Sequence, residues 1–372
     1  MNGAVTPGGD AGAEDLDPRG SVVDGYPRSR VENSQPAGIG RVVALSRWWA
    51  WNNLGRNIVF ASRAFQPVAC FDQTLYPDDD EPSQYDLDIH AILELSNSGL
   101  IVALNHLGVL RAFRAGDLIG SPGVVPLQPV WTSRFADDAE RVIAAGDRLI
   151  GSRPRHQQLG GLLVSEPLTT VVGSSVHATV SLEEWEIVTA LDACSIGGRD
   201  CVSVGADQRV ALLGLERGTV GPPRWDRPVE FQPAMVAWDG QLVWAAGSES
   251  AAGVDDYDWE QLRRGRFVGL DPTDGRCVVH GDLEDIAWGN GGAGVVITGH
   301  LVCAVQRTGS LLLYSKRDGR RVGRTPSLAS HPLGIAHAAC SDGQILFGFN
   351  RAGYTLRRVA TTTLERLARE QP

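Results

Sequence analysis

The sequence predicts an all-β chain, a seven-bladed β-propeller closed by an N-terminal strand, and three observations carry that prediction. From residue 41 onward short apolar runs alternate with Gly, Asp and Asn turns, and helical periodicity is scarce. One unit reads plainly: His90-AILEL, Leu100-IVALN and Val109-LRAF, joined by the turns Ser96-NSG and His106-LG, make an antiparallel meander. The turn glycine of that unit then recurs at Gly55, Gly99, Gly146, Gly198, Gly240, Gly292 and Gly343, every 42–52 residues. Glycine suits a tight hairpin because the turn needs positive φ, which costs a residue with a side chain. A lone blade cannot bury both of its faces, so seven such units are expected to close into a ring.

Residues 1–38 are rich in Gly, Pro, Ser and Asp without periodicity and are expected to form a disordered tail. The propeller is expected to span 39–361. Its last unit, Ile335-AHAAC, Gln344-ILFGF and Tyr354-TLRRVA, lacks a fourth strand, and Gly40-RVVALS is the expected closing strand. Residues 362–372, with Thr362-TLERLARE, read as a short helix carrying Leu364 and Leu367 on one face. Two segments exceed hairpin length: Asp72-QTLYPDDDEPSQYD in the first unit, and Ser248-ESAAGVDDYDWEQLRRG between the second and third strands of the fifth. Long loops on a rigid scaffold are where function concentrates.

Gly265-RFVGLDPTDGRCVVHGDL and Gly309-SLLLYSKRDGRRVGRTPSL each run from an apolar strand through a D-x-x-D-G or K-R-D-G turn into a second strand. They resemble the repeats of the pyrroloquinoline-quinone-type and WD-repeat-like β-propeller superfamily. The resemblance implies architecture and assigns no residue to a cofactor.

The chain is 43% hydrophobic and 21% charged, enough to bury a core over most of its length. A net charge of −10 argues against nucleic-acid binding, which needs a basic surface. No signal-peptide pattern and no membrane-spanning apolar stretch is present, so a cytoplasmic location is expected. The six cysteines form no CxxC pair and sit mostly in apolar runs, as reduced core residues do. Lys316 is the only lysine, which reads as the codon bias of a GC-rich genome.

The connections entering each innermost strand open on one face around the central channel, and they are acidic. They carry Asp86 and Asp88 in the second unit, Asp137 and Asp138 in the third, and Glu183 and Glu184 in the fourth. Glu230 follows in the fifth, and Glu284 with Asp285 in the sixth. Converging carboxylates can hold a divalent cation, act as acid and base, or receive a basic partner. The plainer alternative is that loops of an acidic protein are acidic.

The sharpest local pattern is Gln84-YDLDIHAIL. Alternation puts Ile89, Ala91 and Leu93 on one face and Asp88, His90 and Ile92 on the other. A histidine beside two carboxylates serves as acid/base or metal ligand, or as an Asp–His hydrogen bond between blades. His331 and His337 flank the start of the seventh unit, where they can meet His90. Trp49 and Trp51 share a face and Trp48 takes the other, so at least one face is core, and an exposed ring would suit a partner. No G-x-S-x-G elbow, P-loop or HExxH is present, and GNGGAG at 289–294 leads into no helix.

The expected function is a non-catalytic propeller that binds a protein or other macromolecule through the acidic channel face and the long loops. No cofactor is identified, although a divalent cation fits the carboxylates. The alternative is a metal-assisted hydrolase or lyase acting on a small molecule in the central pocket, in general terms like the calcium-dependent propeller lactonases. A sensor or carrier of small molecules is the third reading.

Overall fold

In the computed structural model the described residues are 21–24, 39–53, 57–72, 89–105, 107–118, 125–135, 139, 141–153, 161–168, 175–181, 188–216, 219–249, 264–286, 294–306, 308–328, 335–349 and 355–371. They form seven antiparallel sheets in sequence order, the blades of a propeller. Blade 1 holds Ile39–Ala44, Trp49–Asn53, Asn57–Ala61 and Pro67–Asp72, and Val125–Pro126 adds to its outer edge in parallel. Blade 2 holds Ile89–Leu95, Leu100–Asn105, Val109–Arg114 and Trp131–Arg134. Blade 3 holds Val142–Ala145, Arg148–Ser152, Leu162–Ser165 and Ala178–Ser181. Blade 4 holds Val188–Ile196, Arg199–Ala206, Arg209–Glu216 and Thr219–Pro228. Blade 5 holds Gln232–Trp238, Val243–Ser248, Gly265–Leu270 and Cys277–Leu283. Blade 6 holds Val295–Ile297, Leu301–Val305, Leu311–Ser315 and Arg321–Arg324. Blade 7 holds Ile335–Ser341, Gln344–Phe349 and Thr355–Ala360, with Ser21–Asp24 outermost.

The core lies between blades. Second strands such as Leu100–Asn105 are buried along their whole length, because neighbouring blades cover both faces. Phe60 and Phe71 of blade 1 meet Phe113 of blade 2, and Trp49 and Trp51 meet Leu346 and Leu356 of blade 7. Trp49 is 1% exposed and Trp51 0%, with Trp49 stacked on Phe65 at 5.3 Å, so this aromatic run is core. Trp48 is half-buried on the blade 2 side, as alternation expects.

An N-terminal strand closes the ring, as expected, but it is not the expected one. Ser21–Asp24, inside the stretch expected to be a tail, pairs antiparallel with the last blade, from Ser21 opposite Arg358 to Asp24 opposite Thr355. Gly40-RVVALS instead begins blade 1: Val43 pairs with Ala50, through a hairpin closed by the Leu45 N–H to the Trp48 carbonyl at 2.9 Å. A partner four residues away needs far less loop closure than one three hundred residues on, and the local hairpin wins. Val42 then packs against Leu346 and Leu356, so blade 1 abuts blade 7 and the ring is closed.

Gly99, Gly146, Gly198, Gly240 and Gly343 sit at first hairpins with φ between 65° and 93°, as expected. Gly55 and Gly292 lie outside the described residues. Blades 1 and 6 make that hairpin at Leu45–Trp48 and at Thr298–His300, where the Thr298 hydroxyl accepts the Leu301 N–H at 3.0 Å.

The D-P-T-D-G and K-R-D-G segments are third hairpins, and both fold by one scheme. In blade 5 the Thr273 N–H donates to the Asp271 carboxylate and the Gly275 N–H to the Asp271 carbonyl, each at 2.8 Å. In blade 6 the Arg317 N–H donates to the Ser315 hydroxyl at 3.2 Å and the Gly319 N–H to the Ser315 carbonyl at 2.9 Å. Each turn supports the outer strand of the preceding blade. The Trp225 indole donates to the Pro272 carbonyl at 3.0 Å and lies over Gly275, while Gly319 lies against the His280 carbonyl.

Five of the seven innermost strands share a defect near their start. Register shifts occur between Ile89 and Ala91, Val188 and Ala190, Pro233 and Met235, Ile335 and His337, and Ile39 and Val42. Such a bulge flips the facing of what precedes it. Ile89 therefore joins Ile92 against blade 1, while Ala91 and Leu93 face blade 3, which corrects the alternation expected for 89–93.

The helix Thr361–Glu370 buries Leu364 and lies on the outer strand of blade 6. There the Arg324 N–H donates to the Gln371 side-chain oxygen at 2.9 Å.

Candidate functional site

Each first strand runs inward from the connection with the preceding blade. One face of the ring, the upper face, therefore carries the blade-to-blade connections and the second hairpins. The lower face carries the first and third hairpins. Residues 73–88 join blades 1 and 2, and residues 250–263 join the second and third strands of blade 5. Both segments thus leave from and return to the upper face, on opposite sides of the channel axis.

Of the residues expected around the channel, Asp86, Asp88, Asp138, Glu184 and His331 lie outside the described residues, as do Asp137 and Glu183. His90, half-buried, is the bulged residue of blade 2, and His337 flanks the corresponding bulge of blade 7. Thr189 holds the same place in blade 4, where its hydroxyl donates to the Pro233 carbonyl of blade 5 at 2.5 Å. This position is a junction between blades. Asp285 is half-buried at φ 53°, immediately before the bridge between Ile286 and Gln306.

Glu230 is engaged. It pairs with Arg266, which also meets Glu249 at 3.0 Å and Asp282 at 3.4 Å. The hydrogen bond that Arg266 donates to Glu230 and the surrounding carboxylates hold the guanidinium above its ordinary value. Three carboxylates about one arginine leave a net negative charge on the upper face, at the root of segment 250–263. Glu284, exposed, lies 3.8 Å from Arg321.

The lower face holds a cluster absent from the expected site. Asp239-Gly240-Gln241 in blade 5 and Asp342-Gly343-Gln344 in blade 7 are equivalent turns. Each aspartate meets a cation from the third hairpin of the following blade: Lys316 pairs with Asp239, and Arg63 with Asp342 at 3.2 Å. The two clasps differ in depth, the Asp239 side chain being 7% exposed and that of Asp342 68%. Asp239 also accepts the N–H groups of Gln241 and Leu242 at 2.8 Å and the Trp244 indole at 2.6 Å. Burial pushes its carboxyl upward, but these donors and Lys316 together hold it below 3.8. Lys316 donates further to the Thr298 carbonyl at 3.1 Å and sits 5.5 Å from the Trp244 ring centre. The repeated D-G-Q turn and the single lysine were the sequence signals for this cluster.

Asp192 of blade 4 accepts the Trp238 N–H of blade 5 at 2.8 Å. Burial pushes its carboxyl up to about 6, against the pull of the Trp238 and Ala193 amides. Burial likewise lifts the Cys70 and Cys194 thiols to about 12 and Cys340 to about 11, which keeps them protonated and poorly nucleophilic. Among the described residues no three His, Cys, Asp or Glu side chains are grouped to hold a metal ion.

No family model matches the chain, and no curated protein matches it. Among solved structures, the computationally designed Ika8 protein aligns with a TM-score of 0.50 over 89% of this chain and 98% of its own, at 9% identity. At that identity the likeness shows the fold alone. In all, 1470 solved chains match this one.

Proposed function

We propose that this seven-bladed propeller is a non-catalytic docking platform that receives a basic segment of a partner protein on its upper face. One observation carries the reading: both long acidic segments, 73–88 and 250–263, are rooted on that face across the channel from one another, beside the Glu230, Glu249 and Asp282 cluster. The first contributes Asp78, Asp79, Asp80 and Glu81, and the second Asp255, Asp256, Asp258 and Glu260. Acidic segments rooted on both sides of one channel mouth would steer and hold a cationic chain. Asp86, Asp88, Asp138 and Glu184 belong by sequence to connections rooted on the same face and add to its negative charge. The two D-G turns support kinship with quinoprotein-type repeats.

Retention on an immobilised oligo-arginine peptide tests the docking surface. The protein is expected to bind at low salt and to elute as ionic strength rises. Asp78→Asn, Asp79→Asn and Asp80→Asn combined should weaken retention several-fold. Asp117→Asn, Asp200→Asn and Glu216→Gln combined, an equal loss of charge at exposed positions near the lower face, should leave it close to wild type. Equal losses for the two sets would mean that net charge, not the upper face, does the binding.

A further inference from the structure

A cavity of about 810 Å³ opens on the lower face among the innermost strands and first hairpins of blades 5, 6 and 7. Its lining is mixed, with Met235, Ala237, Val296, Ile297 and Ala338 as the apolar part. Its rim is polar, with Asp239, Gln241, His300, Lys316 and Asp342. We propose that this cavity binds a small amphipathic amine, with its apolar body against the wall and its ammonium group at the rim beside Asp342. The proposal concerns the opposite face from the docking surface and does not depend on it.

The volume falls within the roughly 300–1,000 Å³ typical of small-molecule sites, and a lining of both apolar and polar groups suits an amphipathic ligand. Small residues hollow this arc of the ring: Ala237 and Ala338 line the wall, and Gly299 and Gly343 the mouth. The charge available at the rim decides the head group. Asp239 is saturated by four donors, and Lys316 is committed to it and to the Thr298 carbonyl. Asp342 is different: Arg63 reaches one of its oxygens, and the side chain is 68% exposed. The rim thus offers a carboxylate to an incoming ligand and holds its ammonium in reserve, within a chain of net charge −10. The fold already seats one ammonium in this chemistry, that of Lys316 between a carboxylate, a carbonyl and the Trp244 ring.

Ligand-observed saturation-transfer NMR on the intact chain, with benzylamine, benzyl alcohol and benzoate as probes, tests the assignment. Benzylamine is expected to bind most tightly and benzoate most weakly. Asp342→Asn should weaken benzylamine about fivefold and leave benzyl alcohol unchanged, the loss of one partly exposed ion pair. Asparagine tolerates the positive φ of 50° at this position, so the variant should fold. Gly299→Trp, which sets a large ring at the mouth where a Cβ itself meets nothing within 4 Å, should abolish binding of all three, with folding checked by far-UV circular dichroism. Benzoate binding as tightly as benzylamine would overturn the proposal. So would an Asp342→Asn variant with unchanged benzylamine affinity, or a folded Gly299→Trp variant that still binds.

Discussion

Gly319→Ala is expected to destabilise the protein by about 2–4 kcal/mol, and Gly99→Ala by only about 1 kcal/mol. Both glycines adopt positive φ, 73° and 65° respectively, so the backbone cost of a side chain is shared. What differs is the surroundings. A Cβ on Gly319 would overlap the His280 carbonyl oxygen in the outer strand of blade 5, whereas a Cβ on Gly99 meets nothing within 4 Å. The obstruction is backbone held in a sheet, so relief requires blades 5 and 6 to part. Urea midpoints for the two variants, read by far-UV circular dichroism, check the difference. Equal shifts would mean that the turn of blade 6 does not bear on the strand of blade 5.

Lys316→Met is expected to cost about 3 kcal/mol at neutral pH, in the manner of a largely buried pair that loses one partner. The methylene stem is kept by methionine, so the loss reports the charge left on Asp239. The Asp239→Asn, Lys316→Met double variant should recover much of that loss, since it leaves no uncompensated carboxylate. The pH dependence has a definite sign. Asp239 is depressed below 3.8 in the folded protein, so it contributes stability above that value, and the contribution fades as pH falls through its folded pKa. Without the ammonium its pKa rises, and the deficit of Lys316→Met should narrow as pH drops from 7 toward 4. Chemical denaturation at several pH values measures this. A deficit independent of pH would place the role of Lys316 in its stem and not in its charge.

The blade count was legible because Gly99, Gly146, Gly198, Gly240 and Gly343 must supply positive φ where hairpins turn. It was imperfectly legible because the hairpins at Leu45–Trp48 and Thr298–His300 close by other means. The closing strand escaped notice because Ser-Val-Val-Asp is too short for a period, and its partner, Thr355–Ala360, lies at the far end of the chain. Arg41–Ser46 has the same apolar alternation whether it opens blade 1 or seals blade 7, so pattern alone did not separate the two roles. The bulge at His90 left no mark in the alternation of 89–93, and it changes which side chains share a face. Lys316 was visible as a singular residue, but its importance comes from Asp239, which stands 77 positions earlier on another blade. Of the acids expected in the connections, Glu230 lies between the outer strand of blade 4 and the first strand of blade 5. That Glu230 is bound to Arg266, 36 positions on, is a matter of how hairpin ends meet in space.

The ring is sealed by Ser21–Asp24 on the edge of the last blade, and hydrogen exchange at Thr355–Ala360 tests that seal most directly. Chains lacking residues 2–19 and residues 2–24 are compared with the intact protein. Loss of 2–19 is expected to leave exchange at 355–360 and the melting temperature near wild type. Loss of 2–24 should bare the outer edge of blade 7, speed exchange there by at least tenfold and lower the melting temperature, because the freed backbone groups lose their partners. Unchanged protection of 355–360 after loss of 2–24 would contradict the account and show that the ring is closed by some other segment.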